Sequence, residues 1–446
     1  MALFYLAGSV APTVVATVPV RMSSSALELP TYYFDEANQG ILDSLGVKKY
    51  NEYLAELSQT RDLPEVVVAV LDSGINRQHP VFDGRVLADL GRNYYLNNRG
   101  QVVYDDTWDV DQSGHGSHVA GIIADSTLAN VKILPVKIFQ GGDDETITGD
   151  VIKEAIDYVV GLKSQQNLNI VAMNMSLGTA IMKTDSTYYW NLLNYQRYVD
   201  TLRGAGILPV VAAGNEGKTQ LKHYQANPEE EWYSLPSACS GTMAVSAYNP
   251  YDRNRLADFS NFGAHIRLSA PGVRITSAWN SDYGTKTNTV SGTSMATPFV
   301  TLCYALLMSD LGKTTAATLG VEWSSADQKY PYYYLNVQHK ALLLHATDMG
   351  AQGLDTLYGY GGVNVTDFAR DPATVPSKGS YSADEVLNPT VAALTGSSTS
   401  RQPTNIFDNV QNVFWTLAGV IVVILIINVV RYRFANKYLP KEYQDE

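Results

Sequence analysis

Three short strings set an acid, a base and a hydroxyl in one order along this chain. Val67-Val68-Ala69-Val70-Leu71-Asp72-Ser73-Gly74 ends an apolar run on a carboxylate. His115-Gly116-Ser117-His118-Val119-Ala120-Gly121 puts a histidine at the head of an apolar segment. Gly292-Thr293-Ser294-Met295-Ala296-Thr297-Pro298 puts a serine at the start of a helical pattern. A serine hydroxyl is a poor nucleophile at its free pKa and needs a base. An imidazole supplies that base, and a carboxylate holds its tautomer and stabilises the imidazolium that forms. Taken singly, Asp72 reads as a buried capping acid, His115 as a satisfied core histidine and Ser294 as a helix N-cap. Taken together, in this order and with these flanks, they point to a hydrolase. A helix starting near Ser294 would aim its N-terminal N–H groups at developing negative charge. Gly292 permits close backbone approach ahead of it. Pro298 is expected within the first turn, where N–H groups have no intrahelical partner.

With Ala212-Ala213-Gly214-Asn215-Glu216-Gly217, these strings resemble the subtilisin-like serine proteases. The resemblance runs from about Gly40 to about Arg370. It closes on His345-Ala346-Thr347-Asp348 and Tyr358-Gly359-Tyr360-Gly361. It implies that Asp72, His115 and Ser294 form a catalytic triad, with Asn215 and the Ser294 N–H as the oxyanion hole. It also implies that Ser176-Leu177-Gly178 pairs with an extended substrate backbone, a mode of binding that reads main chain. Ser-Leu-Gly could equally be a plain strand end. Glu216 would lie near the rim of the main specificity pocket, with the acidic Gly141-Gly142-Asp143-Asp144-Glu145 opposite. Together these suggest a preference for basic or polar groups near the scissile bond; a solvated acidic loop is the other reading.

Two departures from the family pattern stand out. The family's strong calcium loop follows the histidine helix, but here Ala124-Asp125-Ser126-Thr127-Leu128-Ala129-Asn130-Val131 connects directly to the next strand. The acid after His-Pro is Val81, with Asp83 close by. No tight calcium site is expected there, although structural calcium elsewhere is possible, and no cofactor is required. Ser73 and Ser117 stand where the family usually has Thr and keep the hydroxyl. The His115-x-x-His118 spacing could suggest a metal, but no third ligand accompanies it, so no metal site is assigned. His118 reads as a packed helix residue.

These groups need elements to position them. Val66–Leu71, Val131–Ile138, Ile170–Met175 and Ile207–Ala212 are near-continuous Val- and Ile-rich runs. Helix-length segments such as Gly149–Val160 and Tyr189–Arg203 separate them. That pattern is parallel βαβ: an α/β fold, subtilisin-like by the resemblance, with a mostly parallel central sheet and helices on both faces. Asp72 and Asn215 then follow strand C-terminal ends, where open α/β sheets build sites.

The 446 residues carry a net charge of −12 and no long basic run, which argues against sequence-independent nucleic-acid binding. Only Cys239 and Cys303 are present, and they read as two free buried thiols rather than a disulfide scaffold. Val413–Val430 contains no charge, and at ~1.5 Å per residue it nearly spans a ~30 Å hydrocarbon core. Arg431, Arg433, Lys437 and Lys441 follow it, and Trp415 and Tyr432 sit at its ends. The positive-inside rule places the C-terminal end in the cytoplasm and the peptidase outside. The apolar residues 2–20 read as a signal-like leader, although no Lys or Arg precedes them. By the resemblance, the stretch ahead of Asp72 is short for a leader, a full prodomain and the family's first helix, so no long prodomain is expected there.

The expected organisation is a leader and extension (1–39), a peptidase domain (40–370), a Ser/Thr/Pro/Asn-rich linker (371–411), a transmembrane helix (412–431) and a short tail (432–446). The expected protein is a single-pass cell-membrane serine endopeptidase. It would act on polypeptides and process exported or surface proteins. The rival reading is a catalytically silent, membrane-tethered binding module on the same fold. The sequence does not specify an oligomeric state.

Overall fold

The β-branched run at Val66 forms a strand whose seven residues are all buried. A strand buried on both faces carries no alternation of polar and apolar residues, as expected for the middle of a parallel sheet. The computed structural model describes residues 22–23, 26–141, 147–182, 185–217, 232–280, 285–310 and 337–369. In chain order the main-sheet strands are β1 (Val66–Asp72), β2 (Arg92–Leu96), β3 (Val102–Asp105), β4 (Val131–Lys137) and β5 (Ile170–Met175). They continue with β6 (Leu208–Ala212), β7 (Met243–Asn249), β8 (Arg255–Leu256) and β9 (Ile266–Pro271). The helices are α1 (Glu36–Ser44), α2 (Val47–Ser58), α3 (His115–Ser126), α4 (Gly149–Gln166), α5 (Tyr188–Gly204), α6 (Thr293–Met308) and α7 (Val337–Leu344).

The sheet order is β8-β7-β6-β5-β1-β4-β2-β3, with β9 also pairing β7. Only β7–β8 and β2–β3 are antiparallel. The four predicted strands are all present at its centre. The period-2 geometry of β1 divides the core between the two faces. Val66, Val68 and Val70 pack with α3 and α6 in one cluster. Val67, Ala69 and Leu71 pack with α4 and Leu202 of α5 in another. The histidine helix and the serine helix therefore lie on the same face.

Two boundaries differ from the sequence reading. Helix α4 continues past Val160 because Leu162 extends its buried stripe, and Asn167 ends it in a left-handed conformation (φ 60°). Helix α6 begins at Thr293, so Pro298 lies in its second turn rather than its first. The packed core also reaches back to Leu27 and Phe34.

The leader, the linker at 371–411, the apolar segment at 412–431 and the tail lie outside the described residues. No helix among the described residues is long and apolar enough to cross a membrane.

Candidate active site

β1 ends on Asp72, and α3 begins at His115 behind Gly114, whose left-handed backbone (φ 81°) turns the chain into the helix. The first turn of α3 lies hard against the strand exit. A Cβ on Gly116 would collide with the Gly74 carbonyl oxygen and lie 3.2 Å from the Asp72 Cβ. This contact sets the acid beside the base. His115 Nδ1 lies 2.8 Å from Asp72 Oδ1, which also accepts the Ser73 N–H at 2.8 Å. With Nδ1–H donated to Asp72, the Nε2 lone pair is the basic face of the ring. Burial opposes the imidazolium. The Asp72 carboxylate, by charge and hydrogen bond, and then the Asp111 charge outweigh it, and the His115 pKa is raised.

Ser294 is the second residue of α6 and is half-buried. Its Oγ donates to the Ser176 carbonyl at 3.3 Å, and the Ser176 Oγ donates back to the Ser294 carbonyl at 2.9 Å. Pro298 explains the second bond. It has no N–H to offer the carbonyl four residues earlier, which is that of Ser294, and the Ser176 hydroxyl takes the vacancy. No hydrogen bond joins Ser294 to His115 among the described residues.

Asn215 Oδ1 accepts from the Thr293 N–H at 2.8 Å and the Thr293 Oγ1 at 2.9 Å. A backbone N–H can only donate, so these bonds identify the oxygen and turn Nδ2 the other way. A Cβ built on Gly292 would lie 3.6 Å from Asn215 Nδ2 and 3.7 Å from the Ser294 N. Two donors thus flank one small space beside Ser294, which is an arrangement that can bind an oxyanion. Behind it, Asn261 organises the loop. Its Oδ1 accepts the N–H groups of Glu216 (3.0 Å) and Gly217 (2.9 Å), and its Nδ2 donates to the Ala213 carbonyl at 3.1 Å.

The remaining predicted residues fall around this centre. Glu216 is exposed and its carboxylate accepts from Asn261 Nδ2. Ser176 is buried, Leu177 half-buried and Gly178 exposed. Main-chain groups of Leu177 and Gly178 make no backbone–backbone hydrogen bond among the described residues. Of the acidic segment at 141–145, residues 142–145 lie outside the described residues. His118 is fully buried, with Nε2 at 3.0 Å from the Ile275 carbonyl and 3.1 Å from that of Asn288. Burial, then the nearby His115, pushes its pKa down to about 4. Cys239 and Cys303 are free and buried.

Between α3 and β4, where the sequence pattern lacks the family's calcium loop, the buried Arg85 guanidinium donates to the carbonyls of Ala124 (2.5 Å), Thr127 (3.0 Å) and Val131 (3.0 Å). Carbonyl oxygens facing a guanidinium do not fit a calcium ion. Among the described residues no group of three or more His, Cys, Asp or Glu could hold a metal.

Sequence reasoning missed Asp111, Asn261 and Arg85. An acid four residues ahead of His115, at the mouth of a helix, was a readable signal for the first. No local signal marks the other two.

A profile of the subtilase family matches residues 64–361. Alkaline protease 1 of Aspergillus flavus is 34% identical over 235 residues, which is 52% of this chain and 49% of that protein. Proteinase R of Parengyodontium album is 32% identical over 254 residues (56% and 55%). An extracellular serine proteinase of a Thermus species is 34% identical over 246 residues (54% and 49%). The chain spans about half the length of the curated relatives it matches. A lanthipeptide protease superposes with a TM-score of 0.51 at 24% identity, covering 74% of this chain and 96% of its own. Sphericase gives 0.51 at 24%, covering 68% and 91%. At this identity the two structures establish the fold alone.

Proposed function

The chain belongs to the subtilase family, and from that premise we propose that it is a serine endopeptidase working through a Ser294 acyl-enzyme. The observation that carries the reading is the 2.8 Å bond between His115 Nδ1 and Asp72 Oδ1, which leaves Nε2 free to act as a base. Ser294 Oγ leaves the Ser176 carbonyl by a side-chain rotation, a picosecond-to-nanosecond event in accessible residues. It then donates its proton to His115 Nε2 as it attacks the scissile carbonyl. Asp72 stabilises the imidazolium. The Ser294 N–H and Asn215 Nδ2 take the oxyanion. The imidazolium returns its proton to the leaving amine, and water activated by the same imidazole releases the acyl group.

The run Ser176-Leu177-Gly178, where Leu177 and Gly178 make no backbone–backbone hydrogen bond among the described residues, supports an extended polypeptide as substrate. Glu216 and the acidic run at 143–145 support a modest preference for basic or polar groups near the scissile bond. Cleavage profiling with a peptide library tests it, and no gain from Lys or Arg would remove it. The run Val413–Val430 with its following basic residues supports a single membrane anchor with the peptidase outside the cytoplasm. Release of the full chain from membranes by alkaline carbonate would refute the anchor.

The central test treats the chain and its Ser294→Ala variant with a fluorophosphonate probe and assays both on unfolded casein. Labelling and cleavage by the parent alone are expected. A folded parent that neither labels nor cleaves would favour the binding-module reading.

A further inference from the structure

Asp111 is fully buried in the turn ahead of α3 and takes at least five hydrogen bonds. Its Oδ1 accepts from Ser73 Oγ (2.9 Å), Ser113 Oγ (3.3 Å) and the Gly114 N–H (2.9 Å). Its Oδ2 accepts from the Ser117 N–H (2.8 Å) and Ser117 Oγ (2.5 Å). Burying a carboxylate is costly unless such donors surround it. The pattern is more than local capping, because two of the donors are relays. Ser73, on the strand exit, accepts the Gly116 N–H of α3 at 2.9 Å. Ser117, on α3, accepts the Asn76 N–H of the strand exit at 2.7 Å. Each hydroxyl crosses the gap between the two segments in the opposite sense, and both end on the same carboxylate. One segment carries Asp72 and the other carries His115.

We propose that Asp111 is a positioning residue that fixes the His115 imidazole against Asp72 by joining the strand exit to the first turn of α3. This rests on the acyl-transfer reading of Ser294. The five donors make the site acceptor-only, so Asp111→Asn would turn an N–H₂ group toward a donor and release one side of the joint. The carboxylate also faces the imidazole as a charge. Among the described residues, the other charged or titratable groups around His115 are Asp72 at the end of β1, His118 one turn along α3, and Lys137 at the end of β4. Lys137 is buried, and its Nζ donates to the Val110 carbonyl beside Asp111. Asp111 adds to Asp72 in favouring the imidazolium.

The test measures, on the full chain, the fluorophosphonate labelling rate across pH, and kcat and KM on a peptide substrate, for the parent and Asp111→Asn. The labelling rate and kcat are expected to fall on the order of 10- to 100-fold, as for a displaced catalytic group. KM stays close to the parent's. The acid limb of the labelling profile moves to lower pH, because one negative charge facing the imidazole is gone. A merely structural role would lower the fraction of titratable sites while leaving the rate per site and the acid limb unchanged, and that result overturns the proposal. If Asp111→Asn does not fold, Ser73→Ala decides, since it leaves the carboxylate in place and removes the hydroxyl that links it to the Gly116 N–H and accepts from the Ser113 hydroxyl. An unchanged kcat in that variant overturns the proposal. Failure of the parent itself to label would sink the acyl-transfer reading instead, before any variant is examined.

Discussion

Gly292→Ala separates the chemistry from the fold more cleanly than any substitution of a polar group. The backbone at Gly292 is extended (φ 167°, ψ 161°), which any residue adopts. The added methyl would meet Asn215 Nδ2 and Met295 Sδ at 3.6 Å and the Ser294 N at 3.7 Å. These are ordinary van der Waals distances, so nothing has to move. Replacing glycine at such a position also restricts the unfolded chain, a gain of about 0.4–1 kcal/mol. The melting temperature should therefore hold or rise slightly. The same methyl stands in contact with both proposed oxyanion donors and shields them from the oxygen they would bind. Removing one such donor in subtilisin, a member of this family and the source of the figure, costs ~10²–10³ in kcat, or about 2.7–4 kcal/mol.

The expected result for Gly292→Ala is thus a kcat loss of ~10²-fold or more, with KM little changed, in a protein that melts like the parent. Asn215→Ala should lose a similar amount, and the double variant little more than either, because both act on one donor pair. The assay is steady-state hydrolysis normalised by active-site titration, beside a thermal melt. Retention of kcat within a few-fold of the parent would show that the oxyanion does not form between these donors. Gly116→Ala is the control of opposite sign: its methyl meets the Gly74 backbone, so it should lower stability and activity together.

Further outcomes are expected. The raised His115 pKa places the acid limb of kcat/KM above the ordinary histidine value of about 6.5, since the protonated ring cannot act as a base. Activity is then lost as pH falls through that limb, and a limb at or below about 6.5 would show that burial outweighs the two carboxylates at His115. Ser176→Ala should leave the Ser294 carbonyl unpaired at a cost of roughly 1–3 kcal/mol. Pro298→Ala restores the missing N–H, so a denaturant double-mutant cycle should show coupling, and strict additivity would refute the exchange. Arg85→Met should cost roughly 3 kcal/mol or more by stripping donors from three buried carbonyls. Urea unfolding measures the cost, and a loss below about 1 kcal/mol would refute the guanidinium's role at the end of α3.

The sheet was legible because its inner strands are nearly uniform in character. Val66–Leu71 and Ile170–Met175 carry apolar residues on both faces, which only a covered parallel strand tolerates. Asp72, His115 and Ser294 were legible for a different reason. Each terminates or begins an element, so a few adjacent residues announce both the group and its place. Pro298 shows how little error such a reading allows. Placing it one turn early makes its missing N–H harmless, whereas the true start of α6 at Thr293 exposes the Ser294 carbonyl and gives Ser176 a task.

The residues that escaped notice act across the chain rather than along it. Asn261 holds backbone groups 44 and 45 residues away, and Arg85 holds carbonyls 39 to 46 residues away. Their side chains serve main-chain atoms, which every residue possesses, so no residue type at the far end marks the partner. The groups proposed to react in this site can be read by type and neighbourhood. The groups that aim them are set by where the backbone comes to rest. Asp111 stands between the two cases: its neighbours Gly114 and Ser117 are local, while its hold on Ser73 depends on the fold. A change at Asp111 should accordingly disturb the base without unmaking the sheet, because the strand it steadies through Ser73 has already ended.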